Sequence, residues 1–297
     1  MKKILLIFND INPKLINNLR KLSKNSIYWT SFKHLEFAII DNEPIVFDTR
    51  NKVELKNFDL IYLRVWRLES LDERLCTAIY LAYHHIKFIV TEVLESICTS
   101  KITEYFKLVV NGLSVPDSLF VSTNNRYPTL IKKYNFTFPL ILKGIAASRG
   151  KFNFLIKSSK ELLKHLKEQS EVKFVVQSYI KNDHDYRILV LGKNPGYIYK
   201  RTRKNKNDHR NHAYLGAVEE EVVIKHQQIV KDIVKSAKVL KREIAGVDFI
   251  YDETTGKYFI LEVNSNPGFT FETTSIKEFP AFVQYIDQLI EDKSISD

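Results

Sequence analysis

The chain has 297 residues, 44% of them hydrophobic, and a formal charge of +10. That length suggests about two domains, and the basic balance points to anionic partners: nucleotide, acidic peptide or nucleic acid. Only two cysteines are present, Cys76 and Cys98, and neither lies in a CxxC spacing. This argues against a cysteine zinc site and for a reducing compartment. No apolar run reaches membrane-spanning length, and the opening run stops at Phe8 before Asp10, too short for a secretory signal. The expectation is a cytoplasmic protein with no membrane partner, and a homo-oligomer is compatible with it.

In chain order, Lys2–Phe8 reads as a buried parallel strand and Pro13–Ser23 as an amphipathic helix. Glu36–Asp48 holds two short apolar runs around Asp41-Asn42-Glu43-Pro44, the pattern of a hairpin. Leu60–Val65 is a strand, Asp72–His84 a helix and Lys87–Val90 a strand. The alternation argues for a small α/β unit with a partly parallel sheet, ending near Thr91–Glu95. Within it, Arg64 and Arg67 either line a cleft at the sheet's C-terminal edge or stand as surface cations beside Trp66.

A second unit begins at Ser100. Lys101 opens a helix, Ile102–Asn111, which Gly112 ends before Val115-Pro116. Phe138–Lys143 is a strand ending in a lysine, which can reach a phosphate as a point charge. The loop Gly144–Gly150 follows, and its backbone N–H groups can cover phosphates before the strand Lys151–Lys157. The segment is not a Walker A loop, since five residues separate its glycines and Phe152 follows the lysine. Ser159–Gln169 reads as a capped helix and Lys173–Ile180 as a strand, with Tyr179 suited either to a purine slot or to a core.

Asp183–Arg187 starts a strand through Leu191, and Gly192 with Pro195-Gly196 turns it into Tyr197–Arg201. Lys200–His212 carries six Lys or Arg against Asp208, either as a solvated loop or as an electropositive lid. Glu221–Lys241 reads as a long helix with Ile224, Ile229, Ile233, Ala237 and Leu240 on one face, and Ser275–Glu291 as another helix.

The stretch between those two helices carries the chemistry. Gly246–Tyr251 and Lys257–Val263 flank the polar turn Asp252–Gly256, a hairpin signal. Asp248 lies on the first strand, and Glu262 and Asn264 share one face of the second. Paired strands bring these two carboxylates and the amide together. Such a hard-oxygen site suits Mg²⁺, with substrate phosphates completing its octahedron. Taken singly, each is an ordinary strand-end residue. The three together, followed by Ser265-Asn266-Pro267-Gly268, favour the metal reading.

GVDFI…FILEVNSNPGF resembles the C-terminal signature of the ATP-grasp superfamily, in particular the RimK-like branch of ribosomal-protein-modifying α-L-glutamate ligases. The resemblance runs from Lys101 onward. It implies an α/β (α+β) fold: an N-terminal α/β domain over 1–95, then two antiparallel-sheet lobes, 96–180 and 181–297, with ATP between them. Asp248, Glu262 and Asn264 would hold Mg²⁺ or Mn²⁺, two ions in the family, and Lys101 and Lys143 would contact ATP phosphates. Gly144–Gly150 looks like the family's small phosphate loop, Gly150 included, although Phe152 stands where a second glycine is frequent. Main-chain groups around Gln177, Ser178, Tyr179 and Ile180 would meet adenine. Asp185 and Arg187 match the family's D-x-R strand. Arg201 and Asn211 match its catalytic Arg and Asn in position and order, and Gly216 a loop glycine.

The implied reaction is ATP-dependent ligation of an anionic carboxylate to an amine through an acylphosphate, with no protein nucleophile. Two other readings stand beside it. One is a peptide-crosslinking ligase acting on a precursor peptide. The other is a nucleic-acid-binding protein with a degenerate nucleotide site, against which the basic run lacks interleaved aromatics.

Overall fold

In the computed structural model, the described residues are 1–8, 13–41, 43–64, 71–94, 100–121, 123–145, 152–205, 208–211, 217–251, 257–265, 267 and 278–291. The expectations for Arg67, Cys98, Gly150, Lys206, Gly216 and the turn 252–256 lie outside them.

The first strand, β1 (Lys3–Ile7), is followed by α1 (Pro13–Leu22) and β2 (Ser26–Thr30). Next come β3 (Leu35–Ile40), β4 (Glu43–Asp48), the short β5 (Val53–Glu54) and β6 (Leu60–Leu63). Helix α2 (Leu71–Tyr83) and β7 (Lys87–Ile89) close this stretch. β1, β2, β6 and β7 form a sheet in the order β2-β1-β6-β7, and every pairing is parallel. The apolar run Ile4–Phe8 is wholly interior, as a parallel strand covered on both faces requires. β3, β4 and β5 form a separate antiparallel sheet, with the expected hairpin between β3 and β4.

A 3-10 turn at Thr91–Leu94 leads toward α3 (Lys101–Val110). After it come β8 (Ser118–Phe120), α4 (Tyr127–Lys133), β9 (Leu140–Gly144), β10 (Asn153–Ile156), α5 (Ser159–Glu168) and β11 (Phe174–Ser178). Their strands make an antiparallel sheet in the order β10-β9-β11-β8. The remaining elements are β12 (His184–Leu191), β13 (Asn194–Thr202), β14 (Val218–Glu221), α6 (Gln227–Val239), β15 (Ile244–Tyr251), β16 (Tyr258–Asn264) and α7 (Glu278–Glu291). A third antiparallel sheet has the order β14-β13-β12-β15-β16.

Three local expectations change. Pro195 and Gly196 lie within β13, Pro195 opposite Val190 and Gly196 in a register irregularity, so the β12–β13 turn is only Gly192-Lys193, with Gly192 at φ +63. Glu221 ends β14, and α6 starts six residues later at Gln227, because the charged run Glu219–Glu221 pairs along β13. Ile224 is buried as expected, but from the connection rather than from the helix. β2 was not foreseen at all. Its five residues alternate only weakly, and they become a strand by pairing along β1.

Three apolar clusters follow the sheets. One belongs to the β10-β9-β11-β8 sheet with α4 and α5, and another to the five-stranded sheet with α3 and α6. The third joins the parallel sheet to Phe282, Val283 and Ile286 of α7. Ser23 Oγ and Asn25 Nδ2 donate to Asp287 Oδ1 at 2.7 and 2.8 Å, tying α7 to the turn after α1. Among the described residues no helix is long and apolar enough to cross a membrane.

Candidate active site

The sheet containing β9 and the sheet containing β15 face each other across a cavity. Eleven of the residues singled out in the sequence line it: Lys101, Lys143, Gln177, Ser178, Tyr179, Ile180, Asp185, Arg201, Asn211, Asp248 and Glu262. Arg187 and Asn264 do not. Arg187 points to Asp248, and Asn264 stands half-buried two residues beyond Glu262 on β16.

Strand register assembles the charged face. Asp185 on β12 lies opposite Arg201 on β13, Arg187 opposite Asp248 on β15, and Asp248 opposite Glu262 on β16. Residues 185 and 187 share a face by the period of two, so these pairs form two adjacent rungs, a staggered row on one face of four strands. Arg201 Nε donates to Asp185 Oδ1 at 2.7 Å, and its Nη2 stands 3.3 Å from Asp248 Oδ1. Arg187 grips Asp248 with two prongs, Nε to Oδ1 at 2.6 Å and Nη2 to Oδ2 at 2.8 Å. A register shift beyond Asp248 leaves Leu261 without a counterpart and keeps the Asp248–Glu262 pair in line.

Two lysines stand opposite this row. Lys101 is the first residue of α3, set by a capping box in which Ser100 and Thr103 bond reciprocally. Its Nζ is 3.7 Å from Glu262 Oε1. Lys143 ends the apolar part of β9. Burial lowers its ammonium to about 8, and nearby Lys101 adds to the fall while Glu262 resists it. Burial also pushes the Asp185 carboxyl up, against the pull of Arg201. The Arg201 guanidinium is disfavoured by burial, yet Asp248 and Asp185 hold it firmly protonated.

Sequence reasoning passed over His209 and Asn153. His209 Nε2 is 3.0 Å from Asn153 Oδ1, linking the basic segment to β10 across the cavity. Burial lowers the His209 imidazole to about 4, leaving it neutral at pH 7. It was hidden in a stretch read only for its charge. That stretch is largely used internally. Arg201 is buried, Arg203 donates to the carbonyls of Asn182 and Asp208, and Arg210 Nη2 pairs with Asp208 Oδ2 at 2.7 Å. Asn211 Oδ1 is buried with no hydrogen-bond partner among the described residues. Arg64 is buried as well, and its Nη2 donates to the Pro267 carbonyl at 2.8 Å, so it belongs to the joint between β6 and the segment after β16.

The donor set fits a divalent cation that takes the rest of its shell from phosphates and water. Among the described residues no cluster of three His, Cys, Asp or Glu exists to cage an ion alone. Asp248, Glu262 and the Asn264 amide supply hard oxygens on one face. Each carboxylate oxygen has two acceptor positions, so Asp248 can take an ion while its guanidinium bonds persist.

Residues 99–282 match the RimK-like ATP-grasp domain, well over half the chain. The chain belongs to the RimK-like ATP-grasp family. Among this family's ligases, coenzyme gamma-F420-2:alpha-L-glutamate ligase of Methanocaldococcus jannaschii is 28% identical over 166 residues, 54% of this chain and 56% of that protein. The chain thus spans just over half the length of that curated relative. Two solved structures share the ATP-grasp fold over nearly the whole chain. The macrocyclase MdnC bound with precursor peptide MdnA, from Microcystis aeruginosa MRC, aligns with TM-score 0.71 and 16% identity, over 98% of this chain and all of the other. The ATP-grasp ligase PsnB, complexed with minimal precursor, Mg and ADP, aligns with TM-score 0.74 and 15% identity, over 97% of this chain and 98% of the other. At such identities the likeness speaks for the ATP-grasp fold alone.

Proposed function

We propose that the protein is a cytoplasmic ATP-dependent carboxylate–amine ligase. The observation that carries this reading is the meeting of Lys101 and Lys143 with Arg201, Asp248 and Glu262 around one cavity. Lys101 and Lys143 bind the phosphates of ATP, and the main chain from Gln177 to Ile180 bounds the adenine. Bound Mg²⁺, held by Asp248, Glu262 and Asn264, would offset phosphate charge. Whether one ion or two bind, the same three residues supply the protein's donors.

In the first step the substrate carboxylate oxygen attacks the γ-phosphorus, the bond to ADP breaks, and an acylphosphate forms. The amine then attacks the acyl carbon and phosphate departs, taking up the proton that the amine loses. Arg201 and the Asn211 amide stabilise charge on the transferring phosphoryl group, and Arg187 keeps Asp248 aimed. Residues 1–95 supply an N-terminal domain, with 96–180 and 181–297 as the lobes enclosing the nucleotide. The internal bonds of Arg201, Arg203 and Arg210 take three of the segment's cations away from a nucleic-acid backbone, which disfavours that reading.

An ADP-release screen over amino acids, small carboxylates and peptides tests the proposal. Mg²⁺-dependent release is expected with one such pair, and Glu262→Gln is expected to cut turnover by at least about 100-fold through loss of a metal-holding charge. Turnover at the wild-type rate in Glu262→Gln would remove the metal assignment.

A peptide crosslink is the second reading. It is favoured by the fold match to two ligases solved with precursors, which extends over residues well outside the family match. Mass spectrometry separates the two readings: loss of one water within a peptide marks a crosslink, and a gain in mass marks addition of an amino acid.

A further inference from the structure

We propose that Arg242 is a positioning residue that holds the phosphate lysine Lys101 and the metal carboxylate Glu262 in register, as the centre of a buried clamp joining three elements. The inference rests on the ATP–Mg²⁺ reading of the site.

Arg242 stands in the short turn between α6 and β15, and only 4% of its side chain is exposed. Its Nε donates to Glu92 Oε2 at 2.6 Å, in the 3-10 turn that precedes α3. Its Nη2 donates to Glu104 Oε1 at 2.6 Å, one turn along α3 from Lys101. Its Nη1 donates to the carbonyl of Val263, the residue after Glu262. One planar fork thus reaches the entry to α3, α3 itself and β16. A lysine, with one nitrogen on a flexible stem, cannot span three such acceptors in fixed directions.

The next residue extends the clamp. Glu243 accepts the Val90 N–H at 3.0 Å and the Thr91 hydroxyl, anchoring the start of the same 3-10 turn. Further along α3, the Tyr105 hydroxyl donates to the Leu261 carbonyl at 2.7 Å, and Ile260 N–H donates to the Ser114 carbonyl at 2.8 Å. Helix α3 and the chain just after it therefore follow β16 at three points, and Arg242 supplies the one beyond Glu262. Burial and the neighbouring Glu262 and Glu92 push the Glu104 carboxyl up, while Arg242 pulls it down. The neighbouring Arg74 is half-buried, with its Nε lacking a hydrogen-bond partner among the described residues. Glu92, Glu104, Arg242 and Glu243 are not among the residues lining the cavity, so their effect on the site runs through Lys101 and Glu262.

The test compares Glu104→Gln and Arg242→Lys with Asp287→Asn, which alters a buried carboxylate in α7. Affinity for a fluorescent ATP analogue is titrated against Mg²⁺, and melting temperature is followed in parallel. Glu104→Gln keeps shape and one acceptor, so it serves if Arg242→Lys does not fold. The expected result is at least a fivefold loss of nucleotide affinity and a higher Mg²⁺ requirement in Glu104→Gln, with Asp287→Asn changing melting alone. Wild-type affinity and Mg²⁺ dependence in Glu104→Gln would overturn the proposal. So would an equal loss in Asp287→Asn, which would make the clamp general scaffolding. If the wild-type protein itself shows no Mg²⁺-dependent nucleotide binding, the site reading falls, an outcome distinct from both.

Discussion

The phosphate-binding role proposed for Lys143 carries a cost to the fold. The residue is half-buried in the cavity wall, and desolvation lowers its ammonium to about 8 in the folded protein, against 10.5 in the unfolded chain. The unfolded chain therefore binds more protons between those values, and stability rises with pH across that window as the folded protein sheds an unfavourable charge. Nucleotide affinity, which needs the ammonium, is expected to fall over the same window. Lys143→Met at pH 7 should raise stability by on the order of 1 kcal/mol while weakening ATP at least tenfold. Calorimetric melting and nucleotide titration on the same samples check both. A less stable variant with unchanged affinity would make Lys143 a packing lysine. Residues such as Asp248, Glu262 and Lys143 were legible in the sequence because strand period and strand ends set where they point. Arg242 was not, because its acidic partners lie 138 and 150 residues away along the chain. Long-range ion pairs leave no local pattern.

Among the elements, α3 carries the most consequence for its length. Its first residue is Lys101, and the cap that starts it is the reciprocal Ser100–Thr103 pair. Ser100→Ala should cost about 1 kcal/mol of stability and raise the KM for ATP severalfold, since the first turn would fray where the lysine is held. Melting and steady-state kinetics on that variant decide it; a stability loss with unchanged KM would detach the cap from the site. Sequence pattern found this helix, the β3–β4 hairpin and the β15–β16 hairpin, because each is an apolar run bounded by polar or turn-forming residues. It misjudged Glu219–Glu221, where charged residues form a strand by pairing with β13. It also missed β2, whose strand character comes from its neighbour β1.

For the whole molecule, the cavity proposed for the nucleotide lies between two sheets with separate apolar clusters. A ligand held by both should stabilise them together. Saturating ADP with Mg²⁺ at 100 times its Kd should add about 2.7 kcal/mol and move the melting transition upward as a single step. A rise confined to one of two resolved transitions would count against a site shared by both sheets. The contact between α7 and the parallel sheet has another consequence. Ser23 and Asp287 meet although 264 residues separate them. On a ribosome, the strands β1, β2, β6 and β7 emerge before Phe282, Val283 and Ile286, which arrive only after the strands of the antiparallel sheets have been made. Until then the parallel sheet carries an uncovered apolar face, the kind of surface that chaperones bind and that favours association between nascent chains.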